Sequence, residues 1–175
     1  MNIVLCGMMG VGKSVVGAAL ARRAGARWVD TDQMITEKCG EIVTIFEQFG
    51  EQYFRDLEVE TVKALVQEDG LVISVGGGLV LKAENVSLLT SNGKIVYLRA
   101  SVETLVKRLT ADVTRPLLKT DGESLTEKIE KILQQRAPIY GALADFTIDV
   151  DGKTPEEIVG EIMMKLDKMQ GAGTR

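Results

Sequence analysis

The chain has 175 residues, of which 45% are hydrophobic and 26% are charged, and its net charge is -4. A chain of this length can bury a substantial core in one domain without disulfide or metal support. The acidic balance argues against nucleic acid as the main partner. Because the chain contains no histidine, any proton transfer near neutral pH must use a carboxylate or solvent.

The start of the chain and its cysteines indicate a simple organisation. The first predicted strand begins within a few residues of Met1, which leaves no room for a signal peptide, and no apolar run approaches the length of a membrane span. Cys6 and Cys39 have neither a pairing nor a metal-ligand spacing, so we expect two idle thiols. We predict one domain over residues 1–175, with its core in 1–168, that is a cytoplasmic monomer without nucleic-acid or membrane partners.

A glycine-rich loop follows the first predicted strand. An apolar run at 3–6 precedes Gly7-Met8-Met9-Gly10-Val11-Gly12-Lys13-Ser14, and a helical pattern follows at 15–24. This spacing in this context is typical of a P-loop. Its glycines let backbone N–H groups approach a phosphate, and the helix N-terminus adds a favourable partial charge. The alternative is a glycine-rich turn with an exposed lysine.

The P-loop predicts a site for ATP and Mg²⁺. Lys13 supplies a point charge for the β- and γ-phosphates, and the Ser14 hydroxyl is a suitable ligand for Mg²⁺. The loop residues predicted to bind ATP are Gly10, Val11, Gly12, Lys13, Ser14 and Val15.

Two carboxylates follow the second predicted strand, at 27–29. Strand, helix and strand in this length imply a parallel unit with a right-handed crossover, so Asp30 and Asp32 emerge at the carboxyl edge of the sheet, where ligands bind. One could serve the metal and the other an acceptor. The spacing also allows Asp32 simply to cap a helix that begins at Gln33. The nearby P-loop favours a functional role, because phosphates need Mg²⁺ and an acceptor hydroxyl needs an orienting group.

The middle of the chain contains a helical pattern and a buried strand. The helical pattern covers 43–67 with a break at Gly50, and its Arg55 could be an ordinary surface arginine that pairs with Glu58 along the helix. The strand, at 71–75, leads into Gly76-Gly77-Gly78, which would let backbone pack against a ligand or could form a flexible turn. Since glycine stands where many P-loop proteins carry an acidic metal ligand, Asp30 is favoured for that role.

The second half of the chain continues the alternation of helices and strands. We predict helices at 85–90, 102–109, 125–137 and from Thr154, strands at 94–98 and 146–150, and a frayed tail at 169–175. Pro138 is expected to end the third of these elements. The charged, proline-containing segment at 110–123 is predicted to be a mobile lid, from which Arg115 could reach the γ-phosphate. It could instead be an exposed loop with scattered arginines.

Six motifs occur in a fixed order, and together they resemble the shikimate kinase family. They are the P-loop, Asp30-Thr31-Asp32, Phe54-Arg55-Asp56-Leu57-Glu58, Gly76-Gly77-Gly78, Arg115-Pro116-Leu117-Leu118 and Arg136-Ala137-Pro138-Ile139-Tyr140. The resemblance implies transfer of the γ-phosphoryl of ATP to the 3-hydroxyl of shikimate. It also implies the nucleoside monophosphate kinase fold, an α/β fold with a five-stranded parallel sheet of order 2-3-1-4-5, helices on both faces and a mobile lid.

The resemblance further implies roles for residues on the acceptor side. Asp32 would hold the shikimate hydroxyls and is the candidate base, while Arg55 and Arg136 would clamp the carboxylate. Gly77, between Gly76 and Gly78, would offer a backbone N–H. The region around 31–60 would bind shikimate, and its apolar wall would consist of Ile42, Phe46 and Phe54.

On the nucleotide side, the resemblance implies that Asp30 reaches Mg²⁺ through water beside Ser14. Lys13 and Arg115 would neutralise charge on the transferring phosphoryl group. The residues expected to sandwich adenine are Arg108, Lys153, Thr154 and Pro155.

The sequence leaves other functions open. The same fold is used by gluconate kinases and nucleoside monophosphate kinases, although these would not need two arginines for a carboxylate. A nucleotide-binding switch without catalysis is a further alternative, but Lys13, Asp32 and Arg115 are all present. The chain departs from the expected pattern at Trp28, where we would expect phenylalanine, and at Lys153, where some relatives carry arginine.

Overall fold

The computed structural model describes residues 1–111 and 124–172. Within these residues, five parallel strands form one sheet of order β2-β3-β1-β4-β5, which confirms the predicted fold class. The strands are β1 (Asn2–Cys6), β2 (Arg27–Asp30), β3 (Leu71–Ser74), β4 (Gly93–Arg99) and β5 (Phe146–Asp149). The helices are α1 (Lys13–Ala24), α2 (Thr31–Cys39), α3 (Ile42–Leu65), α4 (Ala83–Ser91), α5 (Val102–Thr110), α6 (Leu125–Leu143) and α7 (Pro155–Ala172), with a 3₁₀ turn at Leu79–Leu81.

The sheet is buried on both faces, as expected for parallel strands covered by helices. Successive side chains of a strand point to opposite faces, and neighbouring strand residues accordingly enter different core clusters. Leu5 packs in the cluster on one face, whereas Val4 and Cys6 pack in the cluster on the other. None of the described helices is both long enough and apolar enough to cross a membrane.

The strand order brings three of the motifs to one edge. β1 is central and pairs with β3 on one side and β4 on the other, and β3 pairs in turn with β2. Because all strands are parallel, the P-loop after β1, the Asp30-Thr31-Asp32 segment after β2 and the glycine triplet after β3 lie next to one another.

A separate small core lies between α2 and α3. Ile35, Ile45 and Phe54 are buried there, and Phe46 packs against them. α3 is interrupted at Gly50, which has φ 81° and ψ 173°, so the predicted break is confirmed. The interruption divides α3 into two parts, and the second carries Arg55.

Two helix ends differ from the prediction. α6 continues through Pro138 to Leu143, so the expectation that this proline ends the helix is wrong. A proline in a helix removes one backbone hydrogen bond and costs about 3 kcal/mol. Burial of Tyr140 beyond it, packed in a core cluster, offsets that cost. α7 extends to Ala172, so the predicted tail at 169–175 begins too early.

Candidate active site

The P-loop has the backbone geometry that its glycines predict. Gly7, Gly10 and Gly12 all have positive φ values, of 142°, 80° and 100°. Gly12 is the N-cap of α1 and has no side chain with which to cap it. The first N–H groups of α1 are therefore available to an anion at this end of the helix.

The lysine and serine of the loop are held by specific contacts. The Lys13 ammonium donates to the backbone oxygens of Gly7, at 2.9 Å, and Met8, at 3.1 Å, so it lies across the loop. The Ser14 hydroxyl donates to Oδ2 of Asp30 at 2.7 Å. This pair of hard oxygen ligands suits Mg²⁺, which keeps several waters and binds few protein groups directly.

Asp30, and not Asp32, is the N-cap of α2. Its Oδ1 accepts hydrogen bonds from the backbone N–H groups of Asp32, at 3.0 Å, and Gln33, at 3.2 Å. The helix begins at Thr31, two residues earlier than the start at Gln33 that a cap at Asp32 would give. The alternative in which Asp32 serves only as a cap is therefore wrong, because the carboxylate that caps α2 belongs to Asp30.

The glycine triplet packs against three charged side chains. A Cβ atom added to Gly76 would overlap Oδ1 of Asp32, and one added to Gly78 would lie 2.7 Å from Nη1 of Arg55. A Cβ atom on Gly77 would lie 3.6 Å from Nη1 of Arg136. The side chains from α2, α3 and α6 thus meet over three consecutive glycines.

Thr31 and the P-loop fix the triplet from the other side. The buried Thr31 hydroxyl oxygen accepts a hydrogen bond from the Gly76 N–H at 3.0 Å. A Cβ atom added to Gly77 would lie 3.6 Å from the backbone nitrogen of Met9 and 3.7 Å from the backbone oxygen of Gly7. The triplet therefore connects the charged side chains directly to the phosphate loop.

Arg55 is held by two glutamates of its own helix. Its Nη1 donates to Glu58 at 2.9 Å and its Nη2 donates to Glu51 at 3.0 Å. Burial opposes the charge of Arg55, but these two partners outweigh it and the pKa of Arg55 is raised. The expected pairing along the helix is present, yet the guanidinium also faces the triplet.

Glu58 is the buried member of this group, with its side chain only 1% exposed. Burial raises the pKa of Glu58, and the negative charge of Asp32 acts in the same direction, while Arg55 and Arg136 oppose the rise. Glu58 therefore interacts electrostatically with all three charged residues that meet at the triplet.

Tyr140 joins α6 to the triplet. Its hydroxyl donates to the backbone oxygen of Gly77 at 2.6 Å. Burial raises the pKa of Tyr140 to about 12, although the charge of Arg136 and a hydrogen bond with it oppose the rise. The phenol is consequently neutral over the ordinary pH range and can both donate to Gly77 and accept from Arg136.

Aromatic side chains form one wall beside Arg55. The rings of Phe46 and Phe54 lie 4.9 Å apart between centroids, and the Arg55 guanidinium carbon lies 5.5 Å from the centroid of Phe54. This arrangement combines an apolar surface with a cation, which suits an acceptor that has both a carbon ring and a carboxylate.

Arg108, one of the residues predicted to contact adenine, contacts the backbone of the P-loop. Nη1 of Arg108 donates to the Val11 oxygen at 2.7 Å and is 3.4 Å from the Gly10 oxygen. Burial opposes ionisation of Asp151, but hydrogen bonds from Thr104 and Ser101 and the charge of Arg108 outweigh it and lower its pKa. Arg108 is thus within electrostatic reach of the turn that precedes α7.

The other predicted nucleotide contacts are less directly placed. The Lys153 ammonium is paired with Glu161 at 2.7 Å, and Pro155 is the first residue of α7. Val15 is exposed at the start of α1. Arg115 and nearly all of the predicted lid at 110–123 lie outside the described residues.

Sequence reasoning did not identify Glu58, Tyr140 or Ser74 as parts of the site. Glu58 and Tyr140 were visible as the last residues of two of the six motifs, which is the one signal that pointed to them. Ser74 ends an apolar strand and gives no signal of its own. Its partners, Trp28 and Lys13, are far from it in the sequence.

The family model and the relatives of higher identity carry one description, shikimate kinase. A model of the family described as shikimate kinase matches residues 9–167. The shikimate kinase of Sulfurihydrogenibium sp. (strain YO3AOP1) is 45% identical over 168 residues, which cover 95% of this chain and 98% of that protein. The structure of shikimate kinase from Acinetobacter baumannii in complex with shikimate has a TM-score of 0.89 and 34% identity, and the alignment covers 95% of this chain and 93% of that one.

A gluconokinase from Sinorhizobium meliloti 1021 also aligns, over 99% of this chain and 97% of its own, with a TM-score of 0.61 but only 19% identity. That likeness shows a shared fold and no more. The family match and the relatives at higher identity carry the assignment, and the chain belongs to the shikimate kinase family, enzymes that transfer a phosphoryl group from ATP to shikimate.

Proposed function

We propose that the edge formed by the P-loop, the glycine triplet and the start of α2 is where the γ-phosphoryl of ATP passes to the 3-hydroxyl of shikimate. The observation that carries this proposal is the meeting of Asp32, Arg55 and Arg136 over three glycines that contact the P-loop. One carboxylate and two guanidinium groups beside a phosphate-binding loop match an acceptor with hydroxyl groups and a carboxylate.

On the acceptor side, Arg55 and Arg136 clamp the shikimate carboxylate, since planar guanidinium groups bind carboxylates through paired hydrogen bonds. The backbone N–H of Gly77 donates a hydrogen bond to the substrate. Phe46 and Phe54 cover the carbon ring, and the region 31–60 supplies most of this pocket. Asp32 orients the hydroxyl groups.

On the nucleotide side, residues 10–15 hold the phosphates, and Arg108 and Pro155 hold adenine. Ser14 and Asp30 are the residues that would hold Mg²⁺, directly or through water. When bound, the ion neutralises phosphate charge.

In the chemical step, the 3-hydroxyl oxygen of shikimate forms a bond to the γ-phosphorus, and the bond from that phosphorus to the β,γ-bridging oxygen breaks. ADP leaves with the electron pair of the broken bond. Asp32 accepts the proton of the hydroxyl group, and Lys13 offsets the negative charge on the phosphoryl oxygens.

We also infer that the enzyme acts as a cytoplasmic monomer. Both cysteines are free, which suits a reducing compartment.

An acceptor panel tests the proposed substrate. ATP turnover with Mg²⁺ is measured with shikimate, gluconate and nucleoside monophosphates as acceptors. We expect turnover with shikimate alone. Turnover with gluconate or a nucleotide instead would keep the phosphate loop and overturn the assignment of Arg55 and Arg136 to a carboxylate clamp.

The role of Asp32 is tested by Asp32→Asn. Loss of a positioned base is expected to lower kcat by about 10²–10⁴-fold. Calorimetry is expected to show ADP binding unchanged, because the proposed role of Asp32 is toward the acceptor hydroxyl and not toward the nucleotide. Asp56→Asn is the matched control, since Asp56 is an exposed carboxylate that contacts Lys82. Near-normal turnover of Asp32→Asn would remove Asp32 from the chemical step.

A further inference from the structure

A chain of hydrogen bonds links β2 to the first residue of α1. Nε1 of Trp28 donates to Oγ of Ser74 at 3.1 Å. The Ser74 hydroxyl in turn donates to the backbone oxygen of Lys13 at 2.9 Å. A serine hydroxyl can accept one bond and donate another, so the two contacts form one continuous connection from the indole to the P-loop lysine.

The hydrogen bonds between Trp28, Ser74 and Lys13 leave no space for a side chain at position 17 of α1. Ser74 is buried, with 1% exposure. A Cβ atom added to Gly17 would lie 2.5 Å from Oγ of Ser74 and 2.6 Å from Nε1 of Trp28. Since Gly17 is one turn beyond Lys13 in α1, its missing side chain is what allows the hydroxyl to reach the Lys13 carbonyl from the side.

β2 therefore holds the start of α1 at two consecutive residues. Trp28 and Asp30 are two apart in the strand and share one face. Asp30 accepts from the Ser14 hydroxyl directly, and Trp28 reaches Lys13 through Ser74. Residues 13 and 14, which carry the ammonium and the hydroxyl of the P-loop, are each tied to the same strand.

We propose that Trp28 and Ser74 are positioning residues for the phosphate loop, which fix the backbone of Lys13 so that its ammonium and the Ser14 hydroxyl meet the phosphates of ATP. The inference rests on the proposed roles of Lys13 and Ser14. Phenylalanine at position 28 would fill much of the same space, but it has no N–H group to orient the Ser74 hydroxyl.

The test uses Trp28→Phe, Ser74→Ala and the double variant in the full chain. The readouts are kcat, KM for ATP, KM for shikimate and the calorimetric Kd of ADP. Loss of one neutral hydrogen bond corresponds to roughly fivefold, so each single variant is expected to raise KM for ATP and Kd of ADP by about that factor, with KM for shikimate within about twofold. Because Trp28 acts through Ser74, the double variant should be no worse than Ser74→Ala.

The control is Thr61→Val, which removes a hydroxyl that donates to the Leu57 oxygen at 2.8 Å and is expected to leave KM for ATP unchanged. A purely structural role for Trp28 and Ser74 would lower Tm and leave both KM values unchanged, or change them equally. Either result, or additive losses in the double variant, would overturn the proposal.

Fluorescence gives an independent readout, because Trp28 is the only tryptophan in the chain. ADP is expected to change Trp28 emission in the unmodified protein, and the change should be much smaller in Ser74→Ala at saturating ADP. An equal change in both proteins would show that Ser74 does not couple the indole to the loop.

Lys13→Met separates failure of this proposal from failure of the proposed function. If Lys13→Met binds ADP normally, the assignment of the phosphate loop is wrong, and the positioning role falls with it. If Lys13→Met loses ADP binding while Trp28→Phe and Ser74→Ala bind normally, the loop assignment stands and the positioning role is rejected.

Discussion

Each glycine of the triplet leaves space for a different charged side chain, so a substitution at one glycine should displace one of these side chains. The atoms that an added Cβ would meet at Gly76 and Gly78 belong to the ends of Asp32 and Arg55. Such ends can move at little cost to the fold. A methyl group here is therefore expected to affect the position of a functional group much more than the free energy of unfolding.

Gly78→Ala tests this expectation. Gly78 has φ -96° and ψ -10°, a conformation with negative φ that alanine can adopt, so the 2.7 Å approach to Arg55 is the main obstacle. Displacing one guanidinium from a charged hydrogen bond is expected to raise KM for shikimate about tenfold or more, with KM for ATP unchanged. Steady-state kinetics and thermal unfolding measure both effects.

The matched control is Gly141→Ala in α6, where an added Cβ would meet nothing within 4 Å. It is expected to keep full activity and to raise the free energy of unfolding by about 0.5–1 kcal/mol, because alanine favours a helix more than glycine does. If Gly78→Ala instead lowers Tm strongly and leaves KM for shikimate unchanged, the triplet serves the fold and not the position of Arg55.

At this scale, the types of the site residues could be predicted from sequence, but their contacts could not. The Asp30-Thr31-Asp32 spacing placed both carboxylates at the sheet edge. Which of them caps α2 depends on the residue at which the helix begins, and the spacing does not fix that residue. Arg55 and Glu58 looked like an ordinary surface pair, since helical spacing does not reveal that Glu58 is buried. The charges that act on the buried Glu58 include Asp32 of α2 and Arg136 of α6, which are distant from it in sequence.

Among the elements, α6 differs most from its prediction. The sequence pattern predicted that α6 ends at Pro138, whereas the helix continues to Leu143. Because it continues, Arg136 and Tyr140 are four residues apart on one helix and lie on the same face. A helix that ended at Pro138 would not bring both to Gly77. Local propensity favoured an end, and burial of Tyr140 against the sheet outweighed it.

Tyr140→Phe tests what this continuation contributes. The variant keeps the ring but removes the 2.6 Å donor to the Gly77 oxygen and one hydrogen-bond partner of Arg136. The free energy of unfolding is expected to fall by about 1–2 kcal/mol, and loss of orientation of Arg136 should raise KM for shikimate roughly fivefold. KM for ATP should be unaffected.

Tyr53→Phe is the control for removal of a phenol, because Tyr53 is exposed and stacks on Phe49. It should change neither kinetics nor stability. Unchanged KM for shikimate in Tyr140→Phe, with only a loss of stability, would limit Tyr140 to a role in the core.

For the whole molecule, the architecture was the most predictable feature. Alternating apolar strands and helices with a P-loop after the first strand lead to a parallel sheet whose carboxyl edge carries the ligands, and the observed sheet is parallel. The strand order, which the family resemblance implied, also agrees. The hydrogen bonds that side chains make between elements were not predictable, because these side chains meet only after folding. The Trp28, Ser74 and Lys13 connection, which spans three elements, is the clearest case.

The same close packing predicts how the stability of the whole molecule responds to alkali. Cys6, at the end of β1, is fully buried, and burial raises the pKa of its thiol from 9.0 to about 12. The unfolded chain thus loses this proton at a lower pH than the folded chain does. The stability that the neutral thiol contributes is complete below about pH 9 and is lost as the pH rises toward 12.

Urea unfolding between pH 7.5 and 10 measures this loss. For a thiol with these two pKa values, the free energy of unfolding should fall by about 1–2 kcal/mol up to pH 10, in addition to any loss from other groups. Cys6→Ala should lack this component even though its smaller side chain lowers stability at every pH. Cys39→Ala, which changes an exposed thiol, should retain the full slope. Parallel slopes for Cys6→Ala and Cys39→Ala would show that the Cys6 thiol ionises as easily in the folded protein as in the unfolded chain.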